Sequence, residues 1–432
     1  MNFQKYIGLT GALLFTLFLT AQQPLQSPLT LDQCIALSLQ SNPQLLSSQY
    51  TVAESEERVR EMRAAYFPTL SLNAGATRSL PVSGKSDGDA YIVNNYNASL
   101  SAHYYLFRGF KTVAASSAAL FSYDAATYQH ESNRQDLILK ITQAYYKLAQ
   151  AERLIYVAEK SVERAGLYLN FANARVKAGV ASRSDVLKAQ VELSNSGLTL
   201  IRAKNGRLAA QGALNILLGR TAGSPVLIVD DLENLDRNAI QPFNQLVAMA
   251  FQQRPELKRF DFQLLAQRSN IKYARSDYFP TISLDASYTF AGAEVAALDN
   301  AWSAGLTVSV PLFTGFSTSA RVTQEEMALR SLEQQGDALR QQVSLDVWNA
   351  YSALKEADER IDNTKIFVEN TRENLNIAEG QYKEGVGSMI EVTDAQNALL
   401  TAEHSHIEAL ADFKIAVAQL ERSLGARMSR EK

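Results

Sequence analysis

The chain is 432 residues long, with 42 Lys+Arg against 45 Asp+Glu, a formal net charge of −3 and 46% apolar residues. That balance leaves no electrostatic footprint for nucleic acid, and the apolar share is too high for a disordered chain. No apolar run of about 18 residues exists to build a polytopic helical membrane protein.

The N-terminus predicts export. Lys5 precedes an apolar run over 7–19, and Leu19-Thr20-Ala21 offers a small residue for cleavage before Gln22-Gln23-Pro24. This reads as a signal peptide over 1–21, too short for a spanning anchor. Cys34 is the only cysteine. It lies beyond the apolar run in a Leu-Asp-Gln context unlike a lipidation site, and is expected in the core. No disulfide within one chain is possible.

Proline spacing then sets the architecture. No proline falls between Pro81 and Pro225 or after Pro311. Helix interiors exclude proline, and Ala, Leu, Gln, Glu, Lys and Arg dominate 111–177 and 317–384. Helices of that length would reach roughly 100 Å and must pair along their length as coiled coils.

The chain reads as a tandem duplication. Asn42-Pro43-Gln44-Leu45 recurs as Arg254-Pro255-Glu256-Leu257, and Tyr66-Phe67-Pro68-Thr69-Leu70 as Tyr278-Phe279-Pro280-Thr281-Ile282. Leu106-Phe107-Arg108-Gly109-Phe110 recurs as Leu312-Phe313-Thr314-Gly315-Phe316, Lys177-Ala178-Gly179-Val180 as Lys383-Glu384-Gly385-Val386, and Leu218-Gly219 as Leu424-Gly425. The offset falls from 212 to 206 across the strand region, so the first copy has the longer loop, around 82–94. The first repeat is expected over 22–230, with a β-hairpin at 66–107 and a helical hairpin at 111–218. The second is expected over 231–432, with a β-hairpin at 278–313 and a helical hairpin at 317–424.

Within those β-hairpins four segments alternate strictly. Leu70, Leu72, Ala74 and Ala76 oppose Ser71, Asn73, Gly75 and Thr77, and the pattern recurs over 96–104, 282–290 and 302–312. Period two means strands with one apolar and one polar face. Strands of about 10 residues suit a transmembrane barrel, and aromatics such as Tyr66, Phe67, Tyr105 and Phe107 gather at their ends, as at a membrane interface. Four strands cannot close, and lipid does not tolerate open edges, so several protomers must share one barrel. Three copies would supply about twelve strands.

These motifs, in this order, resemble the TolC family of outer-membrane efflux proteins over essentially the whole mature chain. The resemblance implies a mainly α fold with a small β part: long antiparallel coiled-coil helices forming a periplasmic α-barrel, plus four transmembrane strands per protomer of a trimeric 12-stranded barrel. It implies a homotrimer in outer-membrane lipid, with a long periplasmic extension. Its helical tips would meet a periplasmic adaptor protein that couples it to an inner-membrane pump.

The resemblance also assigns residues. Glu391 and Asp394 match an acidic pair lining the tunnel constriction; they are three apart and share a helix face. Read alone, they are better explained as an ordinary acidic helix start. Asp185 and Tyr382 match a tip gating link. Gly179, Val180, Gly385 and Val386 form the two tips expected to touch the adaptor. Gly387 stands where the family often has a basic residue, so one gating link is expected to be missing.

No catalytic residue, cofactor or metal site is expected. His404 and His406 are two apart and fall on different helix faces. Gly84-Lys85-Ser86 lacks the first glycine of a phosphate loop, since Ser79 stands there. The alternative function is a periplasmic coiled-coil scaffold or adaptor without a channel.

Overall fold

The computed structural model describes residues 27–79, 93–235, 237 and 241–425. The expected signal peptide and most of the longer first loop lie outside the described residues. Among these residues, eight α-helices and four strands run α1 (Leu31–Ser41), α2 (Pro43–Ala64), β1 (Thr69–Ser79), β2 (Val93–Arg108), α3 (Lys111–Lys177), α4 (Arg183–Leu217), α5 (Phe243–Gln253), α6 (Pro255–Arg275), β3 (Thr281–Gly292), β4 (Asp299–Ser309), α7 (Ser317–Glu384) and α8 (Met389–Leu424).

Local chemistry explains the breaks. Thr30 and Gln33 close a reciprocal capping box on α1. Asn42 ends α1 and caps α2, its Oδ1 accepting from the N–H of Gln44 at 3.0 Å and of Leu45 at 3.3 Å. Pro43 and Pro255 each occupy the first turn of the next helix, where the missing N–H costs nothing. The strand-to-helix corners use two successive left-handed residues, Gly109-Phe110 and Gly315-Phe316.

The four strands form one antiparallel sheet in the order β1-β2-β3-β4. Its register sorts residues by polarity. Leu72, Leu100, Tyr288 and Trp302 line up across all four strands on one face. Ser71, Ser101, Ser287 and Ser303 line up on the other, with Ser71–Ser101 hydroxyls 2.7 Å apart and Ser287–Ser303 hydroxyls 2.9 Å apart. One step along, His103 Nδ1 meets Asp285 Oδ1 at 2.6 Å. The apolar row is uncovered by the rest of the chain: Leu72 is 75% exposed and Trp302 76%.

Asp277 fastens the sheet's helical base. It takes Lys111 Nζ at 2.6 Å and Arg321 at 3.0 Å, joining the starts of α3 and α7 to the turn after α6.

Helices α3 with α4 and α7 with α8 pair along their lengths, and α3 also packs on α6 and α8. At 67 and 68 residues, α3 and α7 are each about 100 Å long. The main core sits mid-length, where α1, α5 and the segment around Val226–Leu232 clasp α3, α7 and α8. Leu29 bridges to Ile228 there, and the Tyr145 hydroxyl donates to the Val229 carbonyl at 2.6 Å. Cys34 is fully buried in this core, where burial pushes its thiol up to about 11. A second core lies at the hairpin ends, built from Ala172, Ala189, Leu375, Tyr382, Met389 and Val392.

Candidate functional site

The two hairpin tips turn by the same backbone device. After α3, the N–H of Gly179 donates to Val176 O at 3.0 Å and that of Val180 to Arg175 O at 3.0 Å. After α7, the N–H of Gly385 donates to Tyr382 O at 3.2 Å and that of Val386 to Gln381 O at 3.0 Å. This paired bonding closes a helix through a left-handed residue. Gly179 (φ +74°) and Gly385 (φ +84°) supply it, a conformation that a Cβ disfavours. In many such ends the following apolar residue folds back onto its helix. Here Val180 and Val386 point outward, 63% and 81% exposed.

Each return helix starts with a reciprocal box. Ser388 N–H donates to Glu391 Oε2 at 2.7 Å, and Glu391 N–H donates to Ser388 Oγ at 3.3 Å. Ser182 N–H donates to Asp185 Oδ2 at 3.4 Å in the first repeat. Glu391 and Asp394 are both exposed and share one side of α8, while Val392 and Ala395, the residue after each, are buried. Glu391 therefore keeps one oxygen for its own helix and presents the rest of its charge to solvent.

Asp185 and Tyr382 are not hydrogen-bonded to each other. The Asp185 carboxylate caps its own helix, and the buried Tyr382 hydroxyl has no hydrogen-bond partner among the described residues. Burial first, then the nearby Asp185 charge, raises the Tyr382 phenol above its ordinary range, while Arg175 opposes the shift. Gly387 packs so closely that a Cβ would stand 2.9 Å from Gln381 Cβ and 3.0 Å from Tyr382 N. A larger residue there would have to reshape the turn.

Three contacts at this seam escape the sequence motifs. Tyr168 of α3 donates to Glu379 of α7. Phe171 meets the Tyr382 ring edge-on, with centroids 5.8 Å apart. Arg175 lies over the Tyr382 ring and donates to its carbonyl. A basic residue in the last turn of α3 was the available signal. Among the described residues, no group of three or more metal-ligating side chains occurs, and no helix is long and apolar enough to cross a membrane.

A strongly two-faced sheet mounted on paired helices of about 100 Å defines a class of β-barrel duct with a helical extension. A sequence-family profile described as outer membrane efflux protein matches residues 34–220 and 246–426. The chain belongs to that family, and is an outer-membrane channel protein with a periplasmic extension. It is 26% identical to protein CyaE of Bordetella pertussis, covering 88% of this chain and 80% of that protein. It is 26% identical to the toluene efflux pump outer membrane protein TtgC of Pseudomonas putida, covering 87% and 79%. A solved structure of CusC superposes with a TM-score of 0.82 over 92% of each chain at 18% identity, which shows the shared TolC-like fold.

Proposed function

We propose that this chain is the exit duct of a tripartite efflux or type I secretion system, a passive conduit from periplasm to exterior. The observation that carries this reading is the four-stranded sheet: two-faced, of membrane height, with one unpaired edge on β1 and one on β4. In lipid both edges need partners, and a homotrimer closing one 12-stranded barrel supplies them. The apolar row meets lipid, and the serine row lines water. A periplasmic scaffold would have no use for such a sheet.

The name of the relative TtgC, an outer membrane protein of an efflux pump, supports coupling to an inner-membrane pump. The outward valines at Gly179-Val180 and Gly385-Val386 suit capture by a periplasmic adaptor, since exposed apolar side chains at a helix turn have no partner of their own. Glu391 and Asp394 from each protomer would ring the tunnel mouth and attract cations. Asp185 and Tyr382 contribute to the closed mouth, and the effect of Asp185 on the Tyr382 phenol supports their proximity. The conduit invokes no catalytic residue, cofactor or metal.

Planar-bilayer recording of the purified full-length protein tests the reading. Stable, discrete conductance steps from an SDS-resistant trimer are expected. Absence of any conductance, with recovery in a soluble periplasmic fraction, would sink it.

A further inference from the structure

The tip seam holds a cation that caps a helix other than its own. Arg175 stands two residues before the end of α3. Its guanidinium carbon is 4.9 Å from the centroid of the Tyr382 ring, and its Nη1–H donates to the Tyr382 main-chain carbonyl. Its Nη2 occupies the side of Gly385 where a Cβ would come within 3.3 Å. Among the described residues the buried Nε of Arg175 has no hydrogen-bond partner. The fork is therefore committed to the last turn of α7.

That last turn is where a cation belongs. The final carbonyls of a helix lack intrahelical donors and carry the negative end of its dipole. The Tyr382 carbonyl already accepts from Gly385 N–H, and Arg175 adds a second, charged donor from the other hairpin. The planar guanidinium stacks on the ring in the same pose, which an ammonium cannot reproduce. Tyr382 is only 4% exposed, so the stack is shielded from water. Tyr168–Glu379 and Phe171–Tyr382 lie along the same seam, and Arg175 is its contact nearest the tip.

We propose that Arg175 is the clasp that holds the α7–α8 tip against the α3–α4 tip within each protomer, and so sets how far the periplasmic mouth stays shut. It is a positioning residue that acts through Tyr382 and Gly385. The proposal deepens the conduit reading and rests on it for its current readout, but its distance readout stands independently.

Arg175→Ala and Arg175→Lys are compared with wild type in the full-length trimer. Spin labels at Lys177→Cys and Glu384→Cys report tip separation; both sites are exposed, and the native Cys34 is fully buried. Arg175→Ala is expected to lengthen and broaden the 177–384 distances and raise resting conductance several-fold. Arg175→Lys is expected to restore part of the closure, because it keeps charge and one donor but loses the stack. A wild-type distance distribution and wild-type current in Arg175→Ala would overturn the clasp. If no protein conducts, the conduit reading fails and the distances alone decide the clasp.

Discussion

Gly425 lies against the backbone of Arg254: a Cβ built on it would fall 2.7 Å from the Arg254 Cα and 2.8 Å from its nitrogen. Gly219 repeats the relationship in the first copy, with a Cβ 2.9 Å from the Ser41 carbonyl oxygen. Both glycines are left-handed, at φ +78° and +69°, and both end a return helix on the junction of two short ones. The recurring Leu-Gly pair thus marks where each long hairpin is pinned to the mid-length belt. Gly425→Ala incurs left-handed strain and a backbone collision together, on the order of 3 kcal/mol. A lower thermal midpoint for both Gly219→Ala and Gly425→Ala is expected; an unchanged midpoint would refute the pin.

The pin is reinforced by a half-buried ion cluster. Arg422 of α8 bonds both Glu256 and, at 2.6 Å, Asp136, while Arg254 reaches Glu256 at 3.3 Å and Asp346 at 2.8 Å. Burial alone would raise the Glu256 carboxyl, but Arg422 and Arg254 together hold it down at about 2. A depressed folded value contributes stability above the ordinary carboxylate range, and that stability is lost as pH falls through it toward 2. Glu256→Gln leaves two arginines undercompensated and should cost about 3 kcal/mol at neutral pH. Its penalty should shrink in acid, which denaturation at pH 7 and pH 3 will measure.

At Glu391, charge can be separated from capping. Glutamine serves as well as glutamate in a reciprocal capping box, so Glu391→Gln should keep the thermal stability of wild type. If Glu391 and Asp394 ring the axis, Glu391→Gln and Asp394→Asn should each weaken block by a trivalent cation, and the double variant should nearly abolish it. Equal block in all four proteins, recorded at low salt, would return both residues to ordinary helix starts.

The sheet predicts opposite outcomes for neighbouring residues. Leu72 sits on the uncovered apolar face, and Asn73 on the face of the serine row. A lysine facing the hydrocarbon midplane costs about 2–4 kcal/mol, whereas lumen substitutions chiefly tune selectivity. Leu72→Lys should reduce SDS-resistant oligomer in outer-membrane fractions. Asn73→Lys should assemble normally and shift ion selectivity toward anions. The reverse pattern would mean that the faces are swapped.

Much of this fold is legible in the sequence, for a physical reason. Proline and glycine punctuate backbone locally, so α3 and α7 follow directly from residues that cannot sit inside a helix. Alternation is likewise local, and Leu72 opposite Ser71 announces a two-faced strand. The site was harder. Tyr382 matched a gating position, but its burial and its unpartnered hydroxyl arise from packing against Phe171 and Arg175, more than two hundred residues earlier in the chain. No local period encodes a cation that caps another hairpin's helix. His103–Asp285 is similar: each residue reads as a polar position, and only the β2–β3 register makes them a pair.

The two bare edges of the sheet have a genetic consequence. If, as proposed, another subunit completes each strand edge, each barrel is only as sound as its worst contributor. A defective β1 or β4 edge co-expressed with a normal copy should therefore behave as a dominant allele, poisoning mixed barrels that a normal subunit alone would close. In a three-part barrel with equal expression, roughly one assembly in eight would escape. A defect confined to the tips of one subunit leaves the barrel closed and its neighbours' strands paired, and should be masked by normal partners to a far greater degree.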